Sequence, residues 1–193
     1  QNRNLVADVK RIQRAGIQVH AGFIVGFDND TPSIFQRQID FIQKSGIVTA
    51  MVGLLQAPAG TRLYERMKRE GRLLGEMSGD NADSTTNIVT SMNRHTLRKG
   101  YLGILRHIYS HEQYYQRAKT FLREYKPSKT GGPLLQFNDI MPLFRSFYHL
   151  GIISNGRIHY WKLLLWTYLR NPKLFPMAVK LSITGYHLRK ICY

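Results

Sequence analysis

Three places in this 193-residue chain carry residue types that could hold a metal or a cofactor. His107 and His111 stand four apart, the spacing that sets two imidazoles on one helix face and that zinc sites use. Zinc wants a third ligand, and no Glu lies between the two histidines, so packing or solvated histidines account for the pair better. Asp28-Asn29-Asp30 opens like a calcium loop. Such a loop needs Gly at its sixth position and Glu at its twelfth, which here are Ser33 and Ile39, so a capped helix start explains these residues better. Gly22-Phe23-Ile24-Val25-Gly26 is the third place. Glycine in an apolar strand lets a ligand approach the backbone, although by itself it also suits simple packing. Cys192 is the only cysteine, which excludes a disulfide framework, a zinc site of several thiolates and a cysteine-ligated iron–sulfur cluster held by this chain alone. No metal site is expected.

These residues need elements to position them. Leu5, Val6, Val9 and Ile12 recur at helical spacing, and Gly16 supplies a stop. Ile17 to Phe27 is uncharged, β-branched and aromatic, the pattern of a buried parallel strand. Thr31 and Pro32 open a second helix with Phe35, Ile39 and Ile42 on one stripe, ended by Gly46. Ile47 to Leu55 is a second apolar strand. Pro58 and Gly60 break the chain, and Thr61 caps a helix over 62–70 that Gly71 closes, leaving an N-terminus able to hold an anion. Helix and strand thus alternate over residues 1–75, which implies a parallel sheet or barrel. Two strands alone would leave unpaired apolar edges, so this region is expected to complete a larger α/β barrel with further strands upstream.

Residues 76–92 are polar and without period, as in a linker or loop. From residue 93 the pattern is helical: Leu97, Tyr101, Ile104, Leu105 and Ile108 on one face, a break at Ser110 to Glu112, then Tyr114, Tyr115, Ala118, Phe121 and Leu122 on another. A linker at 126–133 precedes amphipathic stretches over 139–150, 157–170 and 173–190. The fold class expected is therefore α/β followed by all-α: the last βα units of a partial barrel over 1–75, a loop over 76–92 and a helical extension over 93–193.

Charge is unevenly shared. Formal net charge is +16, of which residues 1–75 carry +5 and residues 76–193 carry +11; after Lys126 a single acid, Asp139, faces nine bases. Such a field attracts nucleic acid, phospholipid head groups or phosphorylated ligands, or matches an acidic surface on another domain or chain. The tail interleaves Tyr160, Trp161, Trp166 and Tyr168 with Lys162 and Arg170, on apolar faces expected to lie in a core. A helical cap comes first among its roles, a membrane surface second and nucleic acid a distant third. The longest uncharged apolar run there, Leu163 to Leu169, is far short of the ~20 residues a membrane span needs. The chain opens with Gln inside an apparent helix and without a signal-peptide pattern, so it is expected to be a piece of a longer cytoplasmic protein, with attachment at the membrane periphery as the variant.

Together the two βα units are more specific than either. Gly22-x-Ile24-x-Gly26, a Thr31-Pro32 helix start, Pro58-x-Gly60-Thr61-x-Leu63-Tyr64 and Glu70-Gly71-Arg72-Leu73 resemble the last third of the radical S-adenosylmethionine (SAM) barrel, most of all in the branch with an N-terminal cobalamin-binding domain. Met92, Leu97, Tyr101, Ile108-Tyr109-Ser110, Tyr114-Tyr115, Arg117 and Phe121-Leu122 resemble the helical extension of a subset that includes the hopanoid methylases. The resemblance covers roughly residues 1–126. It implies SAM and a four-iron, four-sulfur cluster in the parent protein, cobalamin as a further cofactor, and an upstream barrel and cobalamin-type domain as partners. It implies cofactor binding by Gly22, Ile24 and Gly26, which match the strand lying along the SAM adenine. The chain departs from the family after Gly26, where Phe27-Asp28-Asn29-Asp30 stands in place of a Gly-Glu pair, and it lacks the three-cysteine cluster motif. By resemblance the chain supplies part of the SAM wall and a helical lid over the substrate, without initiating the chemistry. Methyl transfer is one reaction such a parent performs. The rival is a non-enzymatic basic helical module, binding a membrane surface or nucleic acid, joined to an unrelated α/β domain.

Overall fold

The computed structural model describes residues 3–77, 84–127 and 140–192. The chain divides into two compact units, one of residues 21–40 and 50–107, the other of residues 1–20, 41–49 and 108–193.

The first unit is built on two parallel strands, β1 (His20–Val25) and β2 (Thr49–Leu54), each shorter than its apolar run in the sequence. The Leu55 N–H extends the pairing by donating to the Val25 carbonyl at 2.8 Å. Side chains alternate across a strand, so one face carries Val25, Ala50, Val52 and Leu54, all buried, while Gly22, Ile24 and Met51 lie on the exposed face. Helix α2 (Ser33–Ser45) begins one residue after Pro32; the Thr31 hydroxyl bonds the Ser33 hydroxyl at 2.8 Å. Helix α3 (Arg62–Arg69) starts as its sequence signals require: the Thr61 hydroxyl accepts the Tyr64 N–H at 3.2 Å. Gly71 stops it with a φ of +64°, where a side chain would be strained.

The polar stretch after residue 75 is partly built into this unit. Residues 78–83 lie outside the described residues, but Leu73 and Ile88 form an antiparallel bridge, flanked by Leu74 N–H to Asn87 carbonyl and Val89 N–H to Arg72 carbonyl bonds, both 2.8 Å. The buried Asn87 amide accepts the Ala57 N–H at 2.8 Å and donates to the Ala57 carbonyl at 2.9 Å, taking the place of a strand neighbour. Leu55, Ala57, Met67 and Ile88 form the cluster that this return covers. Polar composition concealed it, because most of the anchoring is itself polar, with Asn87 on Ala57 and the Thr86 hydroxyl on the Leu55 carbonyl at 2.6 Å, and Ile88 adds the apolar contact. Helix α4 (Arg94–Tyr109) follows.

The second unit is helical. Helix α1 (Leu5–Arg14) is capped by Asn4, whose side chain accepts the Ala7 N–H at 3.1 Å, and Gly16 ends it at a φ of +84°. Arg14 and Lys10 pair with Glu124 at 2.7 and 3.3 Å. Ser110 breaks the chain and caps helix α5 (His111–Glu124). His107 and His111 consequently belong to different helices and not to one face, as their spacing suggested. Helix α6 (Ile140–Tyr148) passes into one π-turn (His149–Ile153), then come helix α7 (Arg157–Arg170), a short 3₁₀ turn (Pro172–Leu174) and helix α8 (Phe175–Cys192). Linker residues 128–133 and Asp139 lie outside the described residues.

Arg117 on α5 is the largest fully buried side chain, at 0% exposure. Its Nη1 donates to the Gln43 Oε1 at 2.6 Å and the Ile108 carbonyl at 2.8 Å, Nη2 to the Val48 carbonyl at 3.3 Å, and the guanidinium lies over the Tyr109 and Tyr114 rings. Burial without a carboxylate brings its pKa down to about 10, since low dielectric disfavours the charged form. Gly185 on α8 leaves room for the Tyr114 ring, whose hydroxyl donates to the Leu181 carbonyl at 2.6 Å.

One expectation for the tail is corrected. Of the four aromatics, Tyr160 is buried and Trp166 half-buried, but Trp161 and Tyr168 are exposed rather than in a core, as are Leu165 and Leu169 beside them. Apolar residues occur on every side of α7, and its neighbours bury only the side that carries Tyr160, Leu163, Leu164 and Thr167.

Mixed α/β with helix predominating is thus the observed class. Two strands stand among the described residues and close no barrel.

Candidate functional site

The three residues singled out on β1 fall into two structural roles. Gly22 and Ile24 share the exposed face of the strand. A Cβ added at Gly22 would meet no atom within 4 Å, so the strand surface is bare there. Gly26 is buried and turns the chain at a φ of +108°; a Cβ there would press within 3.3 Å of the Leu97 Cδ2 and 3.5 Å of the Thr90 Cγ2. Only glycine suits both that backbone and that space. Met51 of β2 extends the open face, a residue that sequence reasoning missed although its place in the strand alternation marked it.

The turn after β1 is held by its own acids. The Asp30 Oδ2 accepts the Gly26 N–H at 2.8 Å and the Phe27 N–H at 3.0 Å. Those two amides are therefore committed to the turn. Asp28 gathers cations instead: the Arg72 Nη2 donates to Oδ1 at 2.6 Å, the Ser91 hydroxyl to Oδ1 at 2.9 Å and the Arg66 Nη2 to Oδ2 at 2.8 Å. The hydrogen bonds from Arg72 and Ser91 favour the carboxylate and, against the opposing effect of burial, hold its pKa at about 2. Arg72 is in turn raised, first by Asp28, and its Nε donates to the Val89 carbonyl at 2.8 Å. A carboxylate so paired serves as an anchor for Arg66, Arg72 and Ser91 and not as a proton acceptor.

At the strand edge the Gln38 Nε2 donates to the Ile24 carbonyl at 3.0 Å. The Gln38 Oε1 is withdrawn from solvent without a hydrogen-bond partner among the described residues.

This surface fits a flat heterocycle. Gly22 removes the side chain that would cover the strand, and Ile24 and Met51 offer apolar contact. It does not fit an iron–sulfur cluster, which needs several thiolates where the chain has one cysteine. Among the described residues no three His, Cys, Asp or Glu side chains converge as a metal site. No helix among the described residues is long and apolar enough to cross a membrane.

Comparison with known proteins gives three findings. A family model described as a domain of unknown function, DUF4070, matches residues 61–193, more than half of the chain. An uncharacterized methyltransferase of Synechocystis sp. is 29% identical over 189 residues, covering 96% of this chain and 35% of the relative. The hopanoid C-2 methylase of Rhodopseudomonas palustris is 36% identical over 85 residues, covering 44% of this chain and 16% of the relative. The chain thus spans about a third of the first relative and less of the second. No solved structure matches the chain.

Proposed function

The chain belongs to the DUF4070 family, and on that footing we propose that it is the C-terminal part of a radical SAM enzyme of the methyltransferase type. The observation that carries this is the bare, apolar face of β1 and β2 made by Gly22, Ile24 and Met51, on the strand whose Gly-x-Ile-x-Gly pattern resembles the SAM-adenine strand. The printed names of the two relatives, a methyltransferase and a methylase, agree with it.

In this reading Gly22 and Ile24 receive the adenine against the strand, and Gly26 sets the direction in which the chain leaves it. Asp30 keeps that turn rigid. Asp28, through Arg66, Arg72 and Ser91, holds the following segments in place. The bound cofactors supply reductive SAM cleavage, with the cluster ligands and a cobalamin domain provided upstream in the parent protein. The helical residues serve as the lid over the substrate.

The test is the full-length protein purified without oxygen. It is expected to carry about four iron atoms per chain and, once reduced, to turn SAM into 5′-deoxyadenosine. A protein without iron and without SAM cleavage overturns the reading.

A second reading has its own observation. Ile158, Trp161, Leu165, Tyr168 and Leu169 form an exposed apolar stripe at helical spacing on α7, interleaved with Arg157, Lys162 and Arg170. Aromatic and aliphatic groups beside bases suit an anionic membrane surface. The parent enzyme would then act at the membrane periphery on a lipid-like substrate. Nucleic acid is disfavoured by how aliphatic this stripe is.

A further inference from the structure

The helical unit exposes more apolar surface than the α7 stripe alone. Phe144 and Tyr148 stand four apart on α6, and Ile152 of the π-turn follows four residues later; all three are more than half exposed. Residues at that spacing lie along one side of a helix. Single apolar groups are ordinary on a folded surface, but a contiguous patch of them marks an interaction site.

Trp161 joins this surface to α7. Its ring stacks on Phe147 of α6 with centroids 5.7 Å apart, and its Nε1 donates to the Gly151 carbonyl in the π-turn at 2.9 Å. A Cβ at Gly151 would come within 2.9 Å of the same ring, so the glycine is what admits it. The one polar group of the indole is thus satisfied inside the protein, and the exposed part of the ring is fit to enter an apolar phase. The charged side chains of this region have one sign: residues 140–193 hold eight Lys and Arg and no Asp or Glu. Lys162 stands within the α7 stripe, on a stem long enough to bring its ammonium to the level of lipid head groups while its neighbours sink below them.

We propose that α6, the π-turn and α7 form one platform that enters a single leaflet of an anionic membrane. The acyl region receives Phe144, Ile152 and the α7 stripe, and the head groups receive the bases around them. No helix among the described residues is long and apolar enough to cross a membrane, so the contact is an interfacial one. The inference rests on the membrane reading of α7 and goes further than it: that reading needs α7 alone, whereas the platform makes α6 and the π-turn part of the contact.

The test is co-sedimentation of the full-length protein with vesicles of phosphatidylglycerol in phosphatidylcholine, and with vesicles of phosphatidylcholine alone. Phe144→Glu and Ile152→Glu probe α6 and the π-turn, Leu165→Glu probes α7, and Leu74→Glu adds the same charge at an exposed leucine of the other unit. Melting temperatures establish that each variant is folded. The expected result is partitioning into the anionic vesicles that Phe144→Glu and Ile152→Glu each weaken severalfold, as Leu165→Glu does, and that Leu74→Glu leaves unchanged. Weakening by Leu165→Glu with none by Phe144→Glu and Ile152→Glu overturns the platform and leaves the α7 reading standing. Absence of binding by the wild type overturns both. Equal weakening by Leu74→Glu reduces the effect to net charge, and equal partitioning into phosphatidylcholine alone removes the anionic lipid; either result overturns the proposal. So does a dimer in sedimentation velocity that Phe144→Glu dissolves in a protein indifferent to vesicles, since the platform then faces a second copy of the chain.

Discussion

The Asp30 carboxylate accepts the Gly26 N–H at 2.8 Å through Oδ2, the oxygen that also takes the Phe27 N–H at 3.0 Å. One acidic side chain therefore closes the turn at the end of β1 and fixes the left-handed Gly26 beside it. Replacing Asp30 with Ala leaves the Gly26 amide without an acceptor in a partly buried place. A loss of about 1–3 kcal/mol is expected, read from the urea midpoint. Asp30→Asn retains one acceptor oxygen and is expected to lose less. A loss within about 0.5 kcal/mol for Asp30→Ala would show that the turn holds without the side chain.

Asp28 gives stability a pH signature. Its pKa is about 2 when folded, against 3.8 for an ordinary aspartate, chiefly because Arg72 and Ser91 donate to the charged form. A lowered carboxylate pKa stabilises above the unfolded value and ceases to as pH falls through the folded one. Wild-type protein is therefore expected to lose stability between about pH 4 and pH 2 more steeply than Asp28→Asn, in denaturation midpoints measured across that range. Parallel pH curves for the two proteins would contradict the pairing.

Arg117 is the buried cation on which the helical unit is organised. Arg117→Ala would leave the Ile108 and Val48 carbonyls and the Gln43 amide without their donor and open a cavity, at a cost of about 3–5 kcal/mol. Arg117→Lys keeps the charge but cannot reach three acceptors with a fork, and is expected to cost more than half as much. Thermal unfolding decides the matter; a lysine variant as stable as wild type would show that charge, not geometry, is what this site needs.

How much of this was legible in the sequence follows residue by residue. Thr61 and Gly71 bracket α3 because capping and left-handed φ are local properties, readable from a few neighbours. The break at Ser110 was legible for the same reason. Strand ends were less so: Ile17 and Phe27 are apolar but stand outside β1, because apolarity does not mark where pairing stops. Asn87 was missed because its partners, on Ala57, are thirty residues away. The exposure of Trp161 and Tyr168 was missed because an apolar helix does not announce which side its neighbours cover. On β1, the motif marked Gly22, Ile24 and Gly26 alike, and only the backbone separates the bare Gly22 from the turn-forming Gly26.

The apolar stripe of α7 carries a prediction of its own. Leu165→Glu changes an exposed residue, so folding is expected to survive it. Co-sedimentation with phosphatidylglycerol vesicles is expected to fall severalfold in this variant, and to fade with salt in wild type as screening shortens to ~8 Å near 0.15 M. Unchanged pelleting in Leu165→Glu would remove the stripe from any membrane role.

The proposed SAM wall is tested most directly at Gly22, where a Cβ would meet nothing in the chain itself within 4 Å. Gly22→Leu in the full-length, cluster-loaded protein fills the face without disturbing the fold. The account predicts an unchanged melting temperature and a SAM dissociation constant raised at least about tenfold. Equal affinity for SAM in wild type and Gly22→Leu, at equal stability and iron content, would contradict it.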